Sequence, residues 1–392
     1  MSATFLLAHI SDAGPSSALS DSAPGTPQLA HANGGSTNVN SKSPSGVESG
    51  HTDAIWCSKW AKLTGTDSVV VTGSADHTIK LWNPSNGSVP QTTIQPPSSL
   101  GIVSLDVDNR IDNQQSEFIV TSSLDSVISR FSLQGEAEGR KELGPGKSRH
   151  SSDTSGFRTV AESWAVSLSP KSMHMVTAGD QAKVKIMSSS KDTFGEVVAA
   201  MEATGNFASV VQYSQSGRLI AVAADTGYVT LFDSETGQLV STFPAHSSPI
   251  RSLSFTSSLL VTGSDDKRIN VFDMRAITSS SSASAGSVGN RRGQVASLGG
   301  HEGWVTCVQA RNDRLLASGS ADGTIKLFDL ASPGAALNTL RDHTGDVWTL
   351  AWCPEQVSST VEGVSGSAAA LSGGHFVSGG EDGKLRWWRG GG

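Results

Sequence analysis

The sequence predicts an all-β chain that closes into a seven-bladed β-propeller. Three observations predict it. A hairpin-like unit is written seven times along 392 residues. The copies recur near the roughly 40–45 residues that one four-stranded blade needs. Composition suits a turn-rich chain, with 42 Gly and only 17% charged residues. The clearest copy is LLASGSADGTIKLFDL, residues 315–330, with Gly300-His301 before it. Ala317, Gly319 and Ala321 alternate with polar partners, Asp322-Gly323 turns the chain, and Ile325, Leu327 and Leu330 resume the apolar pattern. Asp-Gly between two alternating runs signals a hairpin, because Gly accepts the positive φ of the turn.

The other copies follow in order. Residues 69–83 (VVVTGSADHTIKLWN) form the core of repeat 1, after His51, and residues 118–132 that of repeat 2. Residues 175–189 and 219–233 mark repeats 3 and 4. Residues 259–273, after His246, mark repeat 5, and residues 375–389, after His343, mark repeat 7. Repeat 3 fits least well, because Gly179-Asp180-Gln181 replaces the usual turn and Met187 stands where repeat 1 has Trp82. The repeats span 51–95, 96–144, 157–202, 203–243, 244–298, 299–341 and 342–389, in one domain over 1–392. A closed ring removes exposed sheet edges. The last repeat runs out at Arg389, so the lone apolar run at residues 4–10 (TFLLAHI) is expected to supply its outer strand. Residues 11–50 are rich in Ser, Gly, Pro and Asn, and are read as a disordered loop. Inserts of similar composition are read at 136–156, 278–293 and 355–374.

These repeats resemble the WD-repeat family, with Phe328-Asp329 at the place of its Trp-Asp. The resemblance implies a structural set in each well-formed blade: a His before the first strand, a Ser or Thr on the second, the turn Asp and the third-strand Trp. Repeat 1 offers His51, Asp76 and Trp82; repeat 5 offers His246 with Asp265 or Asp266; repeat 6 offers His301 and Asp322; repeat 7 offers His343 and Asp382. Phe272 and Phe328 stop two of these sets short of the Trp. A hydrolytic His–Ser–Asp reading fails on recurrence, since a structural device repeats and a catalytic site does not.

Charge and motifs narrow the function classes. A net charge of −7 and a pI of about 5.8 argue against a surface built for nucleic-acid phosphates. Three widely spaced cysteines, Cys57, Cys307 and Cys353, give no disulfide framework and read as small buried hydrophobes of a reducing compartment. No apolar run reaches the roughly 18–20 residues of a membrane span, and the N-terminus lacks the basic region of a signal peptide. A cytoplasmic chain with a nuclear pool is expected. No phosphate-binding loop, dinucleotide fingerprint, zinc-protease motif or Cys/His cluster is present, so no cofactor, metal or catalysis is expected.

One register coincidence points to a binding face. Trp60, Leu168, Phe255 and Trp352 are equivalent inner residues of first strands, and four places before them stand Trp56, Trp164, Arg251 and Trp348. First strands are innermost in a propeller, so these side chains converge on the rim of the central channel. Trp and Arg are the residues most enriched in binding hot spots. Trp304 lies two places earlier in its repeat and is expected on the loop above. A short peptide or helix of another protein is the expected ligand.

The segments HTDAIW, ESWAVSLSP, PIRSLSF, GHEGWV and LRWWRGG together resemble the WD-repeat subunits of the superkiller (Ski) complex. The inserts at 11–50 and 278–293 depart from that pattern. The resemblance implies a non-enzymatic scaffold that binds a tetratricopeptide-repeat subunit and, through it, an RNA helicase. Such an assembly feeds messenger RNA to the cytoplasmic exosome for 3′-to-5′ decay, so contact with nucleic acid is indirect and none is made with membrane. Fungal members of this kind also partner a meiotic double-strand-break protein in the nucleus, and animal members join an RNA-polymerase-associated factor complex. Two other readings stand beside it. Phe272-Asp273-Met274-Arg275 is similar to the Trp-Asp-x-Arg of substrate receptors of cullin ubiquitin ligases. A propeller enzyme would need convergent polar groups in the channel, and the sequence shows no such set.

Overall fold

In the computed structural model the chain forms seven four-stranded antiparallel sheets arranged as the blades of a propeller. The described residues are 5–10, 50–63, 68–86, 89–96, 100–143, 162–278, 293–354 and 375–390. Most of the expected loop at 11–50, and the inserts at 144–156, 279–292 and 355–374, lie outside them.

Each blade begins with its inner strand. These are Ile55–Lys62, Ile102–Val107, Ala165–Leu168, Ala208–Tyr213, Ile250–Phe255, Val305–Ala310 and Val347–Trp352 for blades 1 to 7. Every inner strand packs against those of its two neighbours, and that of blade 7 returns to blade 1. The fourth strand of blade 7 is Phe5–Ile10, paired antiparallel with Leu385–Gly390 and with Leu7 opposite Trp388. The ring is therefore closed by the N-terminal strand. One expectation needs correction. Ala137–Glu142, read as the start of an insert, is the outer strand of blade 2 and pairs with Val127–Ser132. Its sequence AEGRKE is polar because an outer edge needs only ladder hydrogen bonds, not a buried face.

The core lies between blades. Second and third strands are buried along nearly their whole length, for example SVVVTGS at Ser68–Ser74 and IKLW at Ile79–Trp82. Blades approach closely because a Gly recurs near the end of the second strand. A Cβ on Gly73, Gly263, Gly319 or Gly379 would lie 2.7 Å from Ile102, Val305, Val347 or Ile55, each the first residue of the next inner strand. The hairpin turns are less demanding than Asp-Gly suggests. His77, Ser126 and Lys267 take φ of 62–68° at the place where Gly323 and Gly383 stand in blades 6 and 7. In blade 3 two consecutive residues, Gln181 and Ala182, take positive φ. No helix among the described residues is long and apolar enough to cross a membrane.

Candidate functional site

The His–Asp sets lie inside the blades, away from the channel. In blade 1, Trp82 Nε1 donates to Thr72 Oγ1 at 2.8 Å, Thr72 Oγ1 lies 2.7 Å from His51 Nε2, and His51 Nδ1 lies 2.8 Å from Asp76. Blade 7 repeats the full set, with Trp388 donating to Ser378 at 2.8 Å and His343 between Ser378 and Asp382. Blades 5 and 6 stop at the His: His246 joins Thr262 to Asp266, and His301 joins Ser318 to Asp322. Phe272 and Phe328 fill the Trp place by packing alone. In blade 5 the partner is Asp266, which leaves Asp265 for another role. Trp388, the second of the two adjacent Trp in LRWWR, completes the blade 7 set and was not singled out from the sequence.

Burial sets the charge state of these groups. It pushes the His51 and His343 imidazoles below their ordinary value, against the pull of Asp76 and Asp382. Burial would also raise the Asp76 carboxyl, but the hydrogen bonds from His51 and Thr78 outweigh it and hold that group well below the usual range. A neutral His between a carboxylate and a hydroxyl is a satisfied buried network.

Four of the five predicted binding residues, Trp56, Trp164, Arg251 and Trp348, line the central channel at one shared place in the inner strands, and Trp304 joins them through its contact with Arg251. In blades 1, 2, 4, 5, 6 and 7 the ladder between the first and second strands skips one residue near its start. The skipped residues are Trp56, Val103, Ser209, Arg251, Thr306 and Trp348. In blade 3 Trp164 has this place, and its backbone N–H donates to Ala178 at 2.8 Å. A bulge leaves one residue unpaired and re-aims its side chain. All seven of these residues line one central cavity of about 450 Å³.

Large and small side chains alternate from blade 1 to blade 7, so two large ones, Trp348 and Trp56, are neighbours where the ring closes. Trp56, Trp164, Arg251 and Trp348 stand in blades 1, 3, 5 and 7, and Val103, Ser209 and Thr306 in blades 2, 4 and 6. Three of the large ones rest on the following blade. Trp56 covers Gly101, where a Cβ would lie 2.7 Å from its ring. Trp164 meets Phe207 edge-on, with ring centroids 5.6 Å apart. The Arg251 guanidinium stands 5.7 Å from the centre of the Trp304 ring. Two of the small ones reach the following blade by hydroxyls, Ser209 to the Ile250 carbonyl and Thr306 to the Val347 carbonyl.

Arg251 is also gripped by both oxygens of Asp265, at 2.8 and 2.7 Å. That hydrogen bonding raises its pKa, so it is a fixed cation. Trp304 is 50% exposed and is the most solvent-facing aromatic of the mouth, while Trp56, Trp164 and Trp348 are half-buried. Phe207 and Gly101 escaped the sequence reading; each stands two places before a bulge residue, as Trp304 does, and that register would have found them.

Below the mouth the channel wall is polar and internally paired. Lys59 lies 3.6 Å from Asp106, and Ser58 bonds Thr349 at 2.8 Å. Burial pushes the Cys57 and Cys307 thiols up to about 12 and Cys353 up to about 11. Among the described residues no group of three or more His, Cys, Asp or Glu could hold a metal ion. The arrangement offers a rigid aromatic and cationic rim, suited to gripping side chains of another molecule.

Comparison with known proteins agrees with this architecture. The family described as "WD domain, G-beta repeat" matches residues 42–83, 237–273, 292–329 and 334–389. These stretches cover blades 1, 5, 6 and 7, the four that hold a His–Asp pair. The chain is similar to WD repeat-containing protein SL1-17 of Schistosoma mansoni, 27% identical over 228 residues, 57% of this chain and 68% of that protein. It is similar to WD repeat-containing protein VIP3 of Arabidopsis thaliana, 26% identical over 54% of this chain and 63% of that protein. It is also 28% identical to meiotic recombination protein rec14 of Schizosaccharomyces pombe, over 29% of this chain and 37% of that protein. The matches thus span less than two thirds of the latter two relatives.

Proposed function

From the premise that the chain is a seven-bladed propeller of WD40 repeats, we propose that it is a non-enzymatic scaffold whose channel mouth binds a short segment of a partner protein. The observation that carries this is the convergence of Trp56, Trp164, Arg251 and Trp348 on one rim at a shared backbone register, with Trp304 beside Arg251. Side chains fixed in advance lose little freedom on binding, which favours affinity. Scaffolding in a Ski-like complex is the finer reading. There the partner is a tetratricopeptide-repeat subunit that links the propeller to an RNA helicase, in support of exosome-mediated 3′-to-5′ messenger RNA decay. The segments that carry this likeness include ESWAVSLSP, PIRSLSF and GHEGWV, which hold Trp164, Arg251 and Trp304. Contact with RNA is through the complex, and the chain works in the cytoplasm with a nuclear pool. A nuclear role beside a meiotic double-strand-break protein is supported by the likeness to rec14.

The test is recovery of partners with the tagged chain from its own cells. A tetratricopeptide-repeat protein and a helicase in fixed ratio, both lost from a Trp164→Ala/Arg251→Ala variant, is the expected outcome. Each substitution should cost on the order of 2 kcal/mol in binding if its residue is a hot spot. The cullin-receptor reading has weaker footing, since Asp273 is already paired with its own neighbour Arg275 at 3.0 Å.

A further inference from the structure

The loop that enters blade 5 reads Ser248-Pro249-Ile250-Arg251, a serine followed by proline and then, two places on, by a basic residue. This is the pattern that proline-directed serine/threonine kinases read. Two other Ser-Pro pairs fall among the described residues. Ser169 is buried and its hydroxyl already accepts from Ser172, and Ser332-Pro333 is followed by Gly and Ala. Ser248 differs from both. It is partly exposed, and its hydroxyl makes no hydrogen bond to any described residue and is not enclosed.

The position of Ser248 is unusual because of what else its loop touches. Ser264 Oγ donates to the Ser248 carbonyl at 3.1 Å and to the Pro249 carbonyl at 2.8 Å. The Asp265 backbone N–H donates to the Pro249 carbonyl at 3.0 Å. One turn therefore holds both the Ser248 backbone and Asp265, the carboxylate that grips Arg251. We propose that Ser248 is a phosphorylation site for a proline-directed kinase, and that its phosphate takes Arg251 from Asp265. The regulatory half of this rests on the docking role of the channel mouth.

The chemistry balances with ATP as co-substrate. Ser248 Oγ bonds to the γ-phosphorus, the bond from that phosphorus to ADP breaks, and the hydroxyl proton passes to the kinase's base and then to solvent. The product carries about −1.5 to −2 charges at pH 7 and three strong acceptor oxygens. The facing turn carries Asp265 and Asp266, whose charges Lys267 and Arg268 offset, whereas Arg251 is the cation three residues on in the same strand entry. The Arg251 side chain is 41% exposed, so a phosphate can approach it, and the exchange must break its two hydrogen bonds to Asp265. Guanidinium–phosphate pairing is bidentate, like the carboxylate pair it replaces. Arg251 then leaves the face of Trp304, and the rim loses its fixed cation.

The test treats the full chain with ATP and a purified mitogen-activated protein kinase, which needs only the Ser-Pro pair, and maps phosphate by mass spectrometry. Phosphate on Ser248, absent in Ser248→Ala, is expected. A folded chain left unmodified under conditions that modify a free peptide of residues 244–255 overturns the site. The phosphorylated chain and phosphorylated Arg251→Ala are then titrated by phosphorus NMR. The wild-type phosphate should titrate lower, by on the order of one pH unit, because the paired cation favours its dianion. Equal midpoints overturn the exchange of partners. Neither readout needs a docking partner. Failure of the docking reading appears separately, as unchanged partner recovery in the Trp164→Ala/Arg251→Ala variant.

Discussion

The Arg251 guanidinium lies 5.7 Å from the centre of the Trp304 ring, although the two residues belong to different blades. Trp56 over Gly101 and Trp164 against Phe207 are the same relationship, a rim residue resting on the residue two places before the rim residue of the next blade. The mouth is thus assembled by neighbouring blades in pairs, and a substitution beneath a rim residue should act on binding without touching the partner.

Gly101→Ala tests this. Its new Cβ would lie 2.7 Å from the Trp56 ring and 2.9 Å from the Ala75 backbone, so something must move. Overpacking of this kind costs about 1–3 kcal/mol. Chemical denaturation should show that loss, and partner recovery should fall as it does for Trp56→Ala. Unchanged stability and recovery would mean that Trp56 is not held by Gly101.

Thr72 is the hub of the blade 1 set, taking the Trp82 N–H and facing His51. Thr72→Val leaves the Trp82 N–H and His51 Nε2 without their partner, each at a cost of about 1–3 kcal/mol. Trp82→Phe recreates the arrangement of blades 5 and 6, where Phe272 and Phe328 leave the hydroxyl bonded to the His. Urea unfolding should therefore rank Thr72→Val as the more damaging of the two, and the reverse order would contradict the hub.

Acid should weaken the fold in two stages. His51 and His343 have pKa values lowered from 6.5 in the folded chain, so the unfolded chain binds protons first. The stability they contribute is complete above pH 6.5 and declines as pH falls below it. Asp76, Asp322 and Asp382 are lowered from 3.8, so their contribution begins to fall only below about that pH. Thermal unfolding between pH 8 and 3 should show midpoints dropping in both windows. A His51→Gln variant should lose part of the first drop, and an unchanged profile would contradict the assignment.

The thiols give an independent check on packing. With Cys57 and Cys307 pushed up to about 12, alkylation at pH 8 should leave both unmodified in the folded chain and reach all three cysteines in denaturant. Cys57 is only partly buried, whereas Cys307 and Cys353 are buried, so rapid labelling of Cys307 without denaturant would contradict the packing.

Much of the ring was legible in the sequence because the signals repeat. The turn Asp, the Gly near the end of the second strand and the leading His recur in blades 1, 5, 6 and 7, so each copy supports the others. Blade 2's outer strand was missed because AEGRKE has neither alternation nor apolar weight; its place comes from ladder pairing alone. At the mouth, four of the seven equivalent positions were legible because they carry Trp or Arg. Val103, Ser209 and Thr306 occupy the same register with side chains that attract no notice. The role of Asp265 was open beside Asp266, since only geometry decides which carboxylate faces the His and which faces Arg251.

The most direct test of the channel mouth as a docking site is affinity purification of the tagged chain from its own cells, beside the Trp164→Ala/Arg251→Ala variant. Co-recovery of a tetratricopeptide-repeat protein and a large helicase in fixed ratio, lost from a variant that still folds, is the predicted result. Equal recovery with both chains would contradict the site, and recovery of a cullin adaptor in their place would contradict the Ski-like role while leaving the propeller intact.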